Sequence, residues 1–92
     1  MSGEVTDNRA RNRFELVVDG VTAHIDYERK PDPIVLIHTI VPKEIGGRGV
    51  GTQIIKSALD MIRAEGIKMV PQCPFVAAFL KKHPEYNDLV AG

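Results

Sequence analysis

Pro42-Lys43-Glu44-Ile45-Gly46-Gly47-Arg48-Gly49-Val50-Gly51-Thr52 stands between a strongly apolar run and an amphipathic helical pattern, and four of the chain's eight glycines fall within six of its residues. Residues without a Cβ take positive φ readily and let a ligand approach the bare backbone, so successive N–H groups can converge on one concavity. If a helix begins at about Val50, its dipole puts a positive end there, a setting that suits a phosphate. The stretch reads as strand, pyrophosphate-cradling loop, helix. A plain flexible turn between strand and helix is the competing reading, since glycines alone do not exclude it. Two other phosphate loops do not fit. No Lys-Ser or Lys-Thr follows the glycines, and too little chain comes after them for a dinucleotide fold, whose glycine loop follows its first strand.

Upstream, Ile34-Val35-Leu36-Ile37-His38-Thr39-Ile40-Val41 is apolar on both faces apart from His38 and Thr39, the pattern of a central strand covered from both sides. Pro42 ends it. Earlier still, two β-forming runs, residues 14–19 and 21–28, meet at Asp19-Gly20, a hairpin signal. In the second run Ala23, Ile25 and Tyr27 share one face, while His24, Asp26 and Glu28 share a wet one. Arg29-Lys30-Pro31-Asp32-Pro33 breaks the pattern and re-aims the chain. Residues 1–12 are polar without a hydrophobic period and are expected to form a flexible N-terminal tail ahead of a single domain over 13–92.

Downstream, Ile54, Ile55, Ala58, Leu59 and Ile62 recur at helical spacing, opposite Gln53, Lys56, Asp60 and Arg63. Gly66 terminates that helix. Ile67-Lys68-Met69-Val70-Pro71 follows a strand-to-helix crossover, so it is expected to lie parallel to the central strand. A short helix over 74–82 follows, with Val76, Phe79 and Leu80 as its apolar side, and Pro84 stops it. Whether residues 85–90 cover a sheet edge or fray is left open. The fold class is α+β: antiparallel N-terminal strands, then strand, glycine loop, helix, strand, helix.

A chain of 92 residues makes one domain and buries about 60–65% of its extended surface. Twelve basic and twelve acidic residues balance, leaving no electrostatic footprint for nucleic acid. The single cysteine, Cys73, forms no internal disulfide and fits a reducing compartment. No apolar run approaches a membrane span and the N-terminus has no secretory pattern. A cytoplasmic monomer without membrane or nucleic-acid partners is expected.

Gln72-Cys73-Pro74-Phe75 ends a strand and opens a helix, with Pro74 suited to the first helical position and Cys73 therefore at the N-cap. A thiol beside the free N–H groups of a helix start has its thiolate favoured. A small buried hydrophobe is the alternative. His38 lies on the other central strand. If the two strands are parallel neighbours, their C-terminal ends share the crevice where open α/β sheets bind ligands, and an imidazole there can exchange protons with a thiol or an amine. A core histidine bonded to backbone is the competing reading. His24 and His83 read as structural, and three dispersed histidines with one cysteine show no metal-ligand spacing.

With these pieces in order, the chain resembles the GNAT superfamily of acyl-CoA-dependent N-acetyltransferases, in particular its small single-domain members. The resemblance spans about residues 14–90. That family's loop reads Gln or Arg, two residues, Gly, any residue, then Gly or Ala; Gly49 and Gly51 match, and Gly46 stands where Gln or Arg belongs. The resemblance implies that acetyl-CoA is the cofactor. The backbone of Ile40 and Val41 would hold its pantetheine arm. Gly46, Gly47, Arg48, Gly49, Val50, Gly51 and Thr52 would hold its pyrophosphate, with Arg48 supplying part of the missing charge. It also implies that Cys73 and His38 lie beside the CoA sulfur as the catalytic pair. Tyr86 falls beyond Pro84 rather than within the last helix, where larger members keep a tyrosine acid, and packing is its plainer role.

Two functions follow from that resemblance. One is acetyl transfer from acetyl-CoA to an unidentified amine. The other is a CoA-binding module with little turnover, since the chain has no room for the N-terminal helices that shape an acceptor pocket in larger members. A small interaction domain that binds no nucleotide is a third, weaker reading.

Overall fold

Alternation in the N-terminal runs and proline at the right stops produce one five-stranded sheet. The computed structural model describes residues 4–29 and 32–91; Lys30 and Pro31 of the predicted breaker lie outside the described residues. The strands are β1 (Thr6–Asn8), β2 (Arg13–Val18), β3 (Val21–Arg29), β4 (Ile34–Ile40) and β5 (Met69–Pro71), in spatial order β1-β2-β3-β4-β5. The first four run antiparallel, and β5 joins β4 in parallel. Asp19 and Gly20 turn the β2–β3 hairpin with φ of 50° and 77°, both left-handed as a two-residue hairpin loop requires.

β1 stands in the stretch expected to be a loose tail. It pairs with β2, and Asp7 explains why it stays: its carboxylate accepts hydrogen bonds from the Tyr27 hydroxyl and from Arg29 Nη2 at 2.9 Å. Arg29 in turn reaches Glu65 at 2.9 Å, so one ion-pair chain fastens the N-terminal strand to the end of the long helix.

That helix, α1 (Val50–Glu65), opens on Gly49 and closes on Gly66, whose N–H donates to Arg63 O at 3.0 Å. A left-handed φ of 74° at Gly66 makes it the glycine stop the sequence promises. A second helix, α2 (Pro74–Lys82), follows β5, and a 3-10 turn over Pro84–Leu89 carries the chain back. Val90 then bridges Met69, and Ala91 N–H donates to Met69 O at 2.9 Å. The C-terminal segment thus covers the β5 edge, which the sequence left undecided.

Both helices pack on one face of the sheet. Phe14, Leu16, Ile25, Ile34 and Leu36 from the strands meet Ile54, Leu59 and Ile62 from α1 in a core of fully buried side chains. The other face is open, which corrects the expectation that β4 is covered on both sides: Ile40 is 47% exposed and His38 is exposed. Both helices lie on the other side, and a β-bulge decides which β4 residues they leave exposed. Asp26 pairs with His38 but Tyr27 pairs with Leu36, so Ile37 is an extra residue in β4. One inserted residue reverses the alternation, and Leu36 and Thr39 both face the core while His38 and Ile40 face out.

Among the described residues no helix is long and apolar enough to cross a membrane.

Candidate functional site

The glycine loop is held at one end by a 3-10 turn over Lys43–Ile45, with Ile45 buried as its anchor and Gly46 N–H donating to Lys43 O at 3.2 Å. Gly47 and Gly49 then take left-handed φ of 77° and 72°, conformations costly to residues with a Cβ. A Cβ at either position would meet no atom within 4 Å, so both border open space. At Gly51 a Cβ would lie 3.7 Å from Val41 Cγ2, which marks how closely the first turn of α1 passes the end of β4. After Gly46, the next amide in a backbone bond is that of Gln53, donating to Gly49 O at 2.9 Å. Among the described residues the N–H groups of residues 47–52 donate to no backbone carbonyl. They are left without a backbone acceptor at the positive end of a 16-residue helix.

The cup opens into a cavity of about 430 Å³. Gly46, Gly47, Gly49, Val50, Gly51 and Thr52 line one wall together with Val41, and one stripe of α2 lines the other: Phe75, Ala78, Phe79, Lys82 and His83. Arg48 is not on either wall. Its guanidinium is drawn back to Asp19 in the hairpin turn, and that bond holds the Asp19 carboxyl below the usual carboxylate range.

Beside this cavity the sheet splays. β5 pairs with β4 only from Ile34 to Leu36, and Pro71 ends it, while β4 continues to Ile40. Past Leu36 the β4 edge facing β5 has no neighbouring strand among the described residues, and Ile40 and Val41 lie on that stretch. Such a bare edge offers its peptide groups to an extended partner.

Cys73 is the N-cap of α2 with Pro74 following, as predicted. Its N–H donates to Leu36 O at 2.9 Å, and its carbonyl accepts from Ala77 N–H at 3.0 Å. The side chain is 1% exposed, and its sulfur lies 3.1 Å from Thr39 Oγ1. The fold therefore seats Thr39, not His38, against the thiol. His38 comes to the open face opposite Asp26, and among the described residues its ring has no hydrogen bond or ion pair. Tyr86 is 6% exposed and donates its hydroxyl to Asp60 at 2.8 Å; burial, then that carboxylate, pushes the phenol up. His24 lies 3.5 Å from Asp26. His83 stacks on Phe79 with centroids 4.2 Å apart and meets Glu85 at 3.3 Å.

Residues 13–89 match the model of the family described as GCN5-related N-acetyl-transferases. The chain belongs to that family. Protein NATD1 from Gallus gallus is 32% identical to it over 84 residues, covering 88% of this chain and 76% of that one. Its Homo sapiens counterpart is 32% identical over 83 residues, with 87% and 74% covered. A GCN5-like protein from Staphylococcus aureus, solved by NMR, superposes with a TM-score of 0.69 at 31% identity, covering 97% of this chain and 88% of that one. The mixed sheet with its splayed parallel pair is thus the GCN5-related fold.

Within this GCN5-related domain, sequence reasoning found the glycine wall of the cavity and missed the α2 wall. Phe75, Ala78, Phe79, Lys82 and His83 repeat at three- and four-residue spacing, so a second stripe was present in the pattern beside the core-facing Val76 and Leu80. Thr39 carried no comparable signal, because only the bulge turns it toward Cys73.

Proposed function

We propose that the chain is an acetyl-CoA-dependent N-acetyltransferase acting on an unidentified amine. The observation that carries this is a row of N–H groups over residues 47–52 with no backbone acceptor among the described residues, on a loop that lines a cavity of about 430 Å³, beside a strand edge that has no neighbouring strand among them. Residues 46–52 cradle the pyrophosphate, and the peptide groups of Ile40 and Val41 hold the pantetheine arm along the bare edge of β4. Acetyl-CoA supplies a thioester carbonyl, and the attacking amine must be neutral. His38, exposed and without a partner among the described residues, takes the proton the amine loses as the C–N bond forms and the C–S bond breaks. The departing thiolate recovers a proton from Cys73 or from water.

The burial of Cys73 at 1% and its contact with Thr39 favour a second reading, in which the domain binds CoA and turns over little. Calorimetry with CoA and acetyl-CoA, followed by an assay of free CoA release against a mixed panel of amines, separates the two. Both require binding, and only the first requires amine-dependent release above the blank. Absence of binding rejects both.

A further inference from the structure

The family's loop places Gln or Arg where this chain has Gly46, and the nearby cation, Arg48, is spent on Asp19. Lys43, the other cation of the stretch, does not line the cavity, so a diphosphate in the cup would meet peptide dipoles and no free charge from residues 46–52. Across the cavity, Lys82 lies on the opposite wall in the last turn of α2, and among the described residues it has no carboxylate partner. Its neighbour Lys81 is exposed, as Lys82 is, but does not line the cavity. Of the two lysines, only Lys82 borders it.

The geometry points to Lys82 as the cationic half of a diphosphate clamp, closing against the amides of residues 47–52 and standing in for the absent Gln or Arg. This rests on the acetyl-CoA reading above and adds to it where the charge comes from. Two further observations agree. The nine residues of α2 span roughly 13 Å at 1.5 Å per residue, so Lys82 sits about an extended pantetheine arm away from Cys73. The wall between them, Phe75, Ala78 and Phe79, is apolar and suits the arm rather than the phosphates. A lysine acts as a mobile point charge, well suited to a diphosphate approached from the far wall.

The test is titration of the full chain with CoA and with dephospho-CoA, which keeps the diphosphate and lacks the 3′-phosphate, for the native protein, Lys82→Gln and Lys81→Gln. Thermal melts confirm that both variants are folded. Lys82→Gln is expected to weaken both ligands by the same factor, about tenfold, the size of one charge-assisted contact. Lys81→Gln is expected to change neither by more than about twofold. Equal losses in the two variants would mean that only net charge matters, and would overturn the clamp. So would no loss in Lys82→Gln, or a loss seen with CoA but not with dephospho-CoA, which would move the lysine to the 3′-phosphate. Failure of the native protein to bind CoA would instead reject the cofactor reading on which the clamp rests.

Discussion

The Thr39 hydroxyl lies 3.1 Å from the Cys73 sulfur, in a contact buried between β4 and the start of α2. With the Cys73 N–H bonded to Leu36 O, this contact locks the thiol at the point where β4 and β5 part. The lone thiol belongs to the core there and is closed to solvent.

Native Cys73 should therefore resist alkylation. Reaction with a small thiol reagent is expected to run at least about a hundredfold slower in buffer than in denaturant, because the thiol must wait for a local opening. Saturating CoA should slow it further. A native rate close to the unfolded one would mean that α2 lifts from the sheet readily.

His38→Ala tests the proton acceptor. His38 is exposed and makes no side-chain bond among the described residues, so stability should change by no more than about 0.5 kcal/mol. Turnover should fall about a hundredfold or more, as for loss of a general base, with the acetyl-CoA affinity unchanged. Native kcat in the variant would assign the proton to water.

Gly49→Ala probes the cup itself. At a φ of 72° an alanine costs about 1 kcal/mol of stability, read from urea unfolding. Its Cβ also projects into the open space beside the amides, so the CoA affinity should drop by about tenfold or more. If only stability falls, the anion rests elsewhere.

Stability should fall at both ends of the pH scale. Burial, and after it the Asp7 contact, raises the Tyr27 phenol; burial, and after it Asp60, raises that of Tyr86. A raised acid holds its proton more tightly when folded, so this contribution is whole below about pH 10 and is lost as pH rises beyond it. Tyr86→Phe should cost about 1 kcal/mol at neutral pH and flatten the alkaline limb. On the acid side, the Arg13 hydrogen bond holds the Glu15 carboxyl low. Its contribution is present above about pH 4 and is lost as pH falls through the lowered value. Denaturant midpoints across pH check both limbs.

Much of the fold was legible because local chemistry dictated it. Asp19-Gly20 specified the hairpin, Gly66 and Pro84 the helix ends, and Pro74 the placement of Cys73 at an N-cap. These are short-range choices of φ and hydrogen bonding that a few adjacent residues settle alone. β1 was not legible, since Thr6–Asn8 has no apolar period and is held by Asp7, Tyr27 and Arg29, residues brought together only by the sheet.

The composition of the site followed the same division. The sequence by itself determined the glycine cup and the cysteine at the helix start, because positive φ and a proline at the first helical position are written in residue types. Tertiary structure alone decided what faces them. The extra residue Ile37 turned Thr39 inward and His38 outward, a reversal that a run apolar on both faces conceals. The placement of α2 put Lys82, and not its neighbour Lys81, on the cavity wall. Neither outcome is encoded locally, since each depends on a register or a crossing that forms only when distant segments meet.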